Sequence, residues 1–482
     1  MRQFPSSVDS RAAVGATSAE HRSALAERDR RSMMHPFSAL ADQAVAEPRI
    51  LAAAQGIYLT DASGREYIDG GSGLWCVNVG YGRAEIAEVM AEQSLKLSYG
   101  LCFGGYSNEP LIELAQRVLA LAPPHMTKVL FNNSGSEANE AQIKIVRAYN
   151  NILGRPRKKK IISRWGAYHG ASIAAGSLTG TAVVHRQFDH PIEGVLHADC
   201  PDYYRRKQAD TTPADFARQA AAALEEMILA AGPETVAAFI AEPIMGSCGI
   251  IIPPPEYFQA IEPILRRHDV LLIADEVITG FGRAGHWFAS PQFQMRPDLI
   301  TCAKGITSGY FPMSACLVGD RVWEVLTSDR GPDNVFGHGF TTAGHPVAAA
   351  VALKNIEIME RESLLANASK TGAYLLERLR AALGSHPLVG DVRGYGMLCG
   401  VELDLDKAAR RPFENAYAIG GKLGRLCWDE GLVVRGGHGR AMACLAPPLI
   451  LTQAEADEIV VRLRRAVDRL GVELEASGLW RP

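Results

Sequence analysis

The sequence predicts an α/β fold, with a large domain built on a mostly parallel sheet covered by helices on both faces and a smaller α+β domain. Between about residues 127 and 319, short apolar runs of strand character alternate with helical patterns, which indicates a largely parallel sheet. From Pro346 onward, long helical segments lead into a Gly-rich hairpin pattern, which is typical of an α+β domain. A chain of 482 residues is long enough for two such domains, at roughly 150 residues or more each.

The predicted strands of the large domain are short and apolar. A strand that is buried on both faces forms a continuous apolar run, whereas a half-buried strand alternates. The runs are, in chain order, KVLF, KIIS, VAAFIA, VLLIA, DLITCA and SACLVG. After the first run, EANEAQIKIVRAYNNI predicts a helix, because Ala138, Ala141 and Ile145 fall on one face at spacings of three and four.

The two ends of the chain are predicted to meet in the small domain. GIYLTDASGREYIDGGSG has the pattern of a hairpin with Ser63 and Gly64 in its turn, and LVGDVRGYGMLCGVELD has that of a second hairpin. We therefore expect residues 35–84 and 346–482 to form the small domain and residues 85–345 the large one. Residues 1–34 are arginine-rich without the apolar core of a secretory signal, so we expect a mobile extension, with an organelle transit peptide as the alternative.

Composition excludes several functional classes. Hydrophobic residues at 47% and charged residues at 21% are typical of globular proteins, which argues against a disordered or fibrous chain. The net charge of −3 predicts no nucleic-acid surface, and no apolar run approaches the ~20 residues that cross a bilayer. The nine cysteines show neither a C-x-x-C pair nor zinc-type spacing, which predicts no metal site and a reducing compartment, the cytoplasm.

Four of the predicted strands lead directly into polar residues. KVLF is followed by NNSGSEAN, where Gly135 and Ser136 open the predicted helix, and helix N-termini bind anions through free N–H groups. VAAFIA leads into Glu242, VLLIA into Asp275 and DLITCA into Lys304. In open α/β sheets ligands bind beyond the carboxyl ends of the strands, and a lysine after a buried strand is uncommon unless it has a partner or a task. The set therefore predicts a binding site.

Each of these residues also has an ordinary structural interpretation: a helix cap without ligand at Ser136, a solvated acid at Asp275, and a surface lysine at Lys304. Together they predict pyridoxal phosphate, which needs a lysine amine for a Schiff base, a carboxylate against its pyridine nitrogen, and a phosphate cradle. Asp275 would keep the ring nitrogen protonated, since a nearby anion favours the cationic form. Lys304 would carry the proton that leaves the substrate Cα.

Six motifs in order resemble those of class III aminotransferases, within fold type I of the pyridoxal-phosphate enzymes. They are FNNSGSEANEAQIKIVRAY, WGAYHGASIAAGSLTG, AEPIMG, LLIADEVITGFGR, CAKGITSGYFPMSACLV and HGFTTAGHPVA. The resemblance runs from about His35 nearly to the C-terminus. It implies a mostly parallel sheet of the seven-stranded type between helices. It also implies a homodimer, or a tetramer, with its active site at the subunit interface.

The resemblance implies roles for matching residues. Those that match cofactor contacts are Gly135, Ser136, Tyr168, Glu242, Asp275, Val277, Lys304, Phe340 and Thr341. Lys304 and Asp275 match the catalytic pair, and Gly135 and Ser136 match the phosphate-binding pair. Tyr168 matches the ring stacked on the cofactor, Val277 a residue on the ring face, and Glu242 a carboxylate beside the ring hydroxyl. Thr341 matches a residue that reaches the phosphate from the partner subunit.

Two further motifs, GLWCVNVGYG and GLVVRGGHGRAMACLAPPL, resemble the ω-transaminase branch. Trp75 and Tyr168 would line the substrate pocket, with Trp75 favouring apolar or aromatic amines. Arg435 matches a mobile arginine that pairs with the carboxylate of the keto acid and withdraws for an uncharged amine, and Arg440 competes with it for this role. The predicted reaction moves an amino group from a primary amine or ω-amino acid to pyruvate in two half-reactions of ping-pong type.

Alternatives share parts of this pattern. An aminomutase or a decarboxylase uses the same lysine, aspartate and phosphate site, and 2-oxoglutarate is an alternative acceptor. VLLIADE also resembles the Walker B strand of an ATPase, but the phosphate loop G-x-x-x-x-G-K-[ST] is absent from the sequence. His169 and Glu276, which lie beside the predicted site residues, are predicted to be structural.

Overall fold

The computed structural model describes residues 17–206, 208–329, 331, 334–437 and 439–481. The strands in these ranges are β1 (Leu51–Gln55), β2 (Tyr58–Asp61), β3 (Glu66–Asp69), β4 (Met126–Asn132), β5 (Lys160–Arg164), β6 (Val195–Ala198), β7 (Val236–Ala241), β8 (Leu271–Asp275), β9 (Leu299–Cys302), β10 (Ser314–Gly319), β11 (Val389–Tyr395), β12 (Leu398–Leu403), β13 (Leu432–Val433) and β14 (Met442–Leu445).

The α-helices in the same ranges are α1 (Ala19–Ser32), α2 (Leu40–Gln43), α3 (Ser72–Trp75), α4 (Ala84–Lys96), α5 (Glu109–Leu121), α6 (Gly135–Ile152), α7 (Ile173–Leu178), α8 (Ala182–Phe188), α9 (Pro213–Ala231), α10 (Tyr257–Arg267), α11 (Asp320–Leu326), α12 (Pro346–Arg361), α13 (Leu364–Leu383), α14 (Ala416–Asp429) and α15 (Gln453–Ala476). None of these helices, in the part of the chain that the structure describes, has the length and apolar content needed to cross a membrane. The cytoplasmic location stays a prediction.

The central sheet confirms the predicted architecture. Within the described residues it has seven strands in the order β4-β10-β9-β8-β7-β5-β6. Strands β5 to β9 pair in parallel, and β10 alone among the seven runs antiparallel to its neighbours β4 and β9. The six apolar runs correspond to β4, β5, β7, β8, β9 and β10. The edge strand β6 was not predicted, because its four residues VLHA are too short and mixed to show a pattern.

Apolar side chains cover both faces of this sheet. Every residue of β7 and β8 is buried. Leu271 and Ile273 pack into the cluster that contains the buried face of α6, whereas Leu272 and Ala274 pack into the cluster that contains α10. Successive side chains of a strand point to opposite faces, so this division places one helical layer on each side. The continuous apolar runs in the sequence follow from this double coverage.

The early and late segments of the chain meet in a second sheet. The order is β1-β2-β3-β13, and Leu432 of β13 pairs in parallel with Ile68 of β3. The two predicted hairpins are confirmed as the antiparallel pairs β2/β3 and β11/β12, and β14 adds a third strand to the latter. The domain boundaries stay a prediction. Helix α1 lies within the predicted mobile extension, and residues 1–16 lie outside the described residues.

Gly372 is a close contact between α13 and the β11/β12 turn. A Cβ atom at Gly372 would lie 1.9 Å from the carbonyl oxygen of Gly396, which belongs to the backbone and has little freedom to move. We expect Gly372→Ala to lower the free energy of unfolding by about 1–3 kcal/mol, as overpacked substitutions do. Denaturant unfolding measures this change.

Gly421, in α14, provides the matched control. A Cβ atom there meets nothing within 4 Å, and the position is exposed. Gly421→Ala should leave stability unchanged or raise it by up to about 1 kcal/mol, because alanine is the better helix former. Equal losses in both variants would contradict the packing argument.

Candidate active site

The carboxyl ends of five strands meet at one edge of the central sheet. Strand β4 runs in the same direction as β5, β7, β8 and β9, because both β4 and β9 are antiparallel to β10. A cavity of about 360 Å³ opens at this edge. The predicted site residues that line it are Gly135, Ser136, Tyr168, Glu242, Asp275, Val277 and Lys304. The fold therefore brings together side chains from segments far apart in the sequence.

Asp275 is a buried carboxylate held by three donors. Its Oδ2 accepts from His169 Nδ1 at 2.7 Å and from Asn139 Nδ2 at 2.8 Å, and its Oδ1 accepts from the Val277 N–H at 3.0 Å. Burial by itself raises the pKa of Asp275, but these hydrogen bonds and the nearby His169 outweigh it and hold the pKa below its ordinary value. Asp275 is therefore ionised, and its Oδ1 keeps a lone pair for another donor.

Lys304 follows β9 in a strained conformation. Its φ of 45° lies in the left-handed region, where a residue with a side chain costs on the order of 1–3 kcal/mol. Burial lowers the pKa of Lys304, and the charge of Asp275 opposes that change. A lowered pKa makes the neutral, nucleophilic amine more accessible.

The N-terminus of α6 forms an anion cradle. Ser134 caps the helix, accepting from the Glu137 N–H at 3.2 Å. The N–H groups of Gly135 and Ser136 have no acceptor among the described residues. Ser136 Oγ accepts from the Ala171 N–H at 3.0 Å, which leaves its own hydrogen free to donate. Two N–H groups, one hydroxyl and a helix dipole suit a phosphate.

Glu242 is buried and held by main-chain donors. Its Oε1 accepts from the Tyr168 N–H at 3.2 Å and its Oε2 from the Gly246 N–H at 3.1 Å. Burial raises the pKa of Glu242 to about 7, because these contacts and nearby cations only partly compensate for lost solvation. Behind it, the fully buried Arg164 donates to the Glu242 carbonyl at 2.7 Å.

Comparison with known proteins decides the family. Residues 40–467 match the family described as aminotransferase class-III. The chain belongs to this family. It is 49% identical to the diaminobutyrate–2-oxoglutarate transaminase of Halomonas elongata, over 94% of this chain and 98% of the relative. It is 42% identical to the putrescine–pyruvate aminotransferase of Pseudomonas aeruginosa, over 87% of this chain and 91% of the relative.

A solved structure agrees. The crystal structure of the ω-transaminase from Pseudomonas jessenii in complex with PMP superposes with a TM-score of 0.91 at 39% identity, covering 94% of this chain and 99% of that one. The predicted fold type I architecture is confirmed, and this class III aminotransferase uses pyridoxal 5′-phosphate to pass an amino group from an amine donor to an oxo-acid acceptor.

The strand-end residues of this aminotransferase fit that cofactor. The free N–H groups of Gly135 and Ser136 would hold its phosphate, Asp275 would face a protonated ring nitrogen, and Lys304 would supply the amine for its aldehyde. A Cβ at Gly135 would lie 3.2 Å from both methyl groups of Val277, so this packing favours glycine there.

Four predicted contacts lie outside the cavity lining: Trp75, Phe340, Thr341 and Arg435. Trp75 is buried, with a φ of 60°, and its ring lies against Gly246, where an added Cβ would meet Cζ3 at 3.1 Å. Its neighbours Leu74 and Cys76 line the cavity instead. Phe340 is half-buried and Thr341 is exposed. Their roles in the aminotransferase stay predictions.

The two competing arginines have different surroundings. Arg440 Nη1 lies 3.0 Å from Glu402 Oε1, and its Nη2 lies 2.6 Å from Asp202 Oδ2, an ion contact without hydrogen-bond alignment. Arg435 has no carboxylate partner among the residues that the structure describes. Its charge nevertheless acts on Tyr168 and Lys304 at the cavity. This difference in pairing therefore favours Arg435 over Arg440 for binding a substrate carboxylate.

Asn139 was missed by sequence reasoning. It donates to the His169 carbonyl at 2.7 Å as well as to Asp275, and it accepts from Thr301 Oγ1 at 2.9 Å. A signal existed, because Asn139 is a polar residue beside the apolar face of the predicted helix. His169 was given a loop role only, yet its ring contacts Asp275 directly.

Glu276 is structural, as predicted. It points away from Asp275, and its carboxylate accepts from the N–H groups of Ala289 and Ser290, both at 2.7 Å.

Lys304→Ala should abolish transamination and remove the visible absorption of the bound cofactor, because no amine remains at the end of β9 to bind its aldehyde. Absorption spectra and turnover measure these losses, and circular dichroism checks the fold. Lys158 is a matched control, since it is also buried but donates only to the carbonyls of Pro233 and His268. Lys158→Ala should lower stability and keep the absorption band; turnover in Lys304→Ala would refute the assignment.

Glu242 predicts a pH dependence of stability. Its pKa rises from 4.5 to about 7 on folding, so within this range the folded chain retains a proton that the unfolded chain has lost. The free energy of unfolding of cofactor-free protein should therefore fall as pH rises through this window, by at most about 1.4 kcal/mol per unit. Glu242→Gln lacks this titration, so its free energy of unfolding minus that of the parent should rise through the window and then level off. A constant difference in urea unfolding would contradict the pKa.

Proposed function

We propose that this aminotransferase moves an amino group from a primary amine or an ω-amino acid to pyruvate, or to a similar 2-oxo acid, by a ping-pong mechanism. The observation that carries the proposal is the Arg435 guanidinium, which has no carboxylate partner among the described residues and whose charge acts on Lys304 although Arg435 lies outside the cavity lining. A guanidinium binds a carboxylate through two parallel hydrogen bonds, and every 2-oxo acid acceptor has one.

The residues at the strand ends are assigned complementary tasks. Bound pyridoxal phosphate supplies the electron sink that lets a substrate amine lose its Cα proton. Lys304 Nζ accepts the proton that leaves the substrate Cα and later donates a proton again to complete the amino transfer. Its lowered pKa favours the neutral amine that can accept this proton. Asp275 keeps the ring nitrogen protonated, and His169 and Asn139 keep Asp275 ionised and oriented.

The charges at the cavity determine which group an amine donor can carry at the end opposite its reacting amino group. Asp275 is reserved for the ring nitrogen, and burial raises the pKa of Glu242 to about 7, so Glu242 carries only part of its negative charge near neutral pH. The positive charge of Arg435, by contrast, acts on Lys304 in the cavity. The remaining wall includes the apolar side chains of Leu74, Ile278, Phe311 and Met313. A donor that ends in a carboxylate or an apolar group suits this environment better than a diamine with a second ammonium.

A homodimer would explain the predicted cofactor roles of Phe340 and Thr341, which lie outside the cavity lining of their own chain. The segment that contains them carries exposed apolar neighbours, and Thr341 O accepts from Tyr99 Oη at 2.9 Å, which joins it to a second apolar segment. The exposed apolar side chains of the two segments are Leu95, Leu97, Leu101, Phe103, Tyr106, Val335 and Phe336. Exposed apolar side chains grouped on two joined segments are typical of a protein interface. We propose that this surface meets a second copy and brings Thr341 to the partner's phosphate site.

Arg435→Ala should raise the KM for pyruvate by roughly 10- to 100-fold, since a charge-assisted, two-point contact is worth about 1.5–3 kcal/mol. The KM for an uncharged amine donor such as 1-aminobutane should change much less. Steady-state kinetics with pyruvate and 2-oxoglutarate, following alanine and glutamate, measure both effects. Equal losses for acceptor and neutral amine would refute the role of Arg435.

The same assay tests the function. 4-Aminobutyrate and 1-aminobutane should each support alanine formation from pyruvate better than 1,4-diaminobutane does. Release of carbon dioxide without alanine would instead indicate a decarboxylase. Faster glutamate than alanine formation would assign 2-oxoglutarate as the acceptor, as the name of the Halomonas elongata relative suggests.

A further inference from the structure

The loop that carries Arg435 is held at both ends by different means. We call residues 435–440 the arginine loop; position 438 lies outside the described residues. At its start, the main chain of Arg435 pairs with Cys444, with N–H···O distances of 3.3 and 2.7 Å. At its end, Arg440 is held through its side chain. Between the ends lie Gly436, Gly437 and Gly439, which offer little resistance to bending.

Arg440 is inserted into a buried group of carboxylates. Its Nη1 donates to both oxygens of Glu402, at 3.0 and 3.1 Å, and its Nη2 lies 2.6 Å from Asp202 Oδ2. Glu402 and Asp202 are 2% and 7% exposed, so solvent screens these contacts weakly. Such contacts hold an arginine in one place, unlike ion pairs on an open surface.

Other guanidiniums fix Glu402 in turn. Arg205 and Arg393 each lie 2.7 Å from its oxygens. Burial by itself raises the pKa of Glu402, but the surrounding arginines outweigh it and hold the pKa at about 2. Glu402 is therefore an anion throughout the working range of the enzyme. Because Glu402 lies on β12 and Asp202 follows β6, Arg440 ties the arginine loop to two different sheets.

We propose that Arg440 is a positioning residue for the acceptor half-reaction: by anchoring the end of the arginine loop, it sets where the Arg435 guanidinium comes to rest when it meets the carboxylate of a 2-oxo acid. This inference rests on the proposed function of Arg435. A two-point hydrogen bond requires a narrow range of orientation, and a glycine-rich loop without its anchor would sample many others. Without the anchor, the KM for acceptors that carry a carboxylate should rise, and the KM for uncharged acceptors should not.

Arg440→Gln and Asp202→Asn test the anchor in the holoenzyme. The first removes the cation, and the second keeps the shape of the Asp202 side chain but removes its charge. We expect the KM for pyruvate to rise roughly 10-fold in Arg440→Gln and less in Asp202→Asn, with kcat within about twofold of the parent. The KM for an uncharged aldehyde acceptor should stay unchanged. Arg440→Lys, which restores the cation, should recover part of the loss.

Arg411 provides the matched control. It is exposed and lies 3.8 Å from Asp406, so Arg411→Gln should change no kinetic constant. Cofactor absorption and thermal unfolding show whether each variant is intact. If Arg440→Gln loses its cofactor, the KM values of Asp202→Asn for pyruvate and for the aldehyde test the anchor instead.

The outcomes separate this inference from the proposed function. If Arg435→Ala raises the KM for pyruvate while Arg440→Gln and Asp202→Asn do not, the anchor is wrong and the role of Arg435 stands. If Arg435→Ala itself leaves that KM unchanged, the proposed function fails and the anchor fails with it. If the Arg440 and Asp202 variants raise the KM for aldehyde as much as that for pyruvate, the residues support the fold only, and the inference is overturned.

Discussion

The site depends on one buried anion, Asp275, that keeps its charge in an apolar interior. Burial alone would favour the neutral acid, but donors from three segments reverse that preference: Asn139 from α6, His169 from the turn after β5, and the Val277 N–H. Removing one donor would leave the carboxylate less satisfied, and a buried unpaired charge is costly. The same contacts therefore hold the anion charged and hold the strand ends together.

Helix α6 links this anion to the phosphate cradle. Its first residues, Gly135 and Ser136, present free N–H groups, and Asn139 reaches Asp275 one turn later. A helix rises by about 1.5 Å per residue, so the register of α6 fixes the distance between the N–H groups that would hold the phosphate and the Asn139 amide that holds Asp275. Asn139 also accepts from Thr301 on β9, close to the point where Lys304 leaves the same strand. The Asn139 side chain thus fixes the relative positions of helix α6, Asp275 and the end of β9.

The arginines show how the same residue type is given different tasks by its surroundings. Arg164 is fully buried and supports the main chain of Glu242, whereas Arg440 is fixed among carboxylates. Arg435, five residues before Arg440, has no such partner among the described residues, and its charge reaches the cavity. Fixed cations organise the protein, and a cation without a permanent partner remains available for a substrate. This difference supports the assignment of acceptor binding to Arg435.

The sequence by itself determined the elements that depend on local pattern: the apolar runs of β7 and β10, the helix that starts at Gly135, and the placement of Glu242, Asp275 and Lys304 after strands. Since parallel strands end at a common edge, those residues had to be neighbours. Only the tertiary structure decided that His169 and Asn139 hold Asp275, that Leu74 and Cys76 line the cavity where Trp75 was expected, and that Arg440 is paired while Arg435 is not. Most of these outcomes depend on side-chain contacts between residues that are 30 to 238 positions apart in the sequence, and the position of Trp75 depends on the local turn around it. The periodicity of apolar residues contains no information about such contacts.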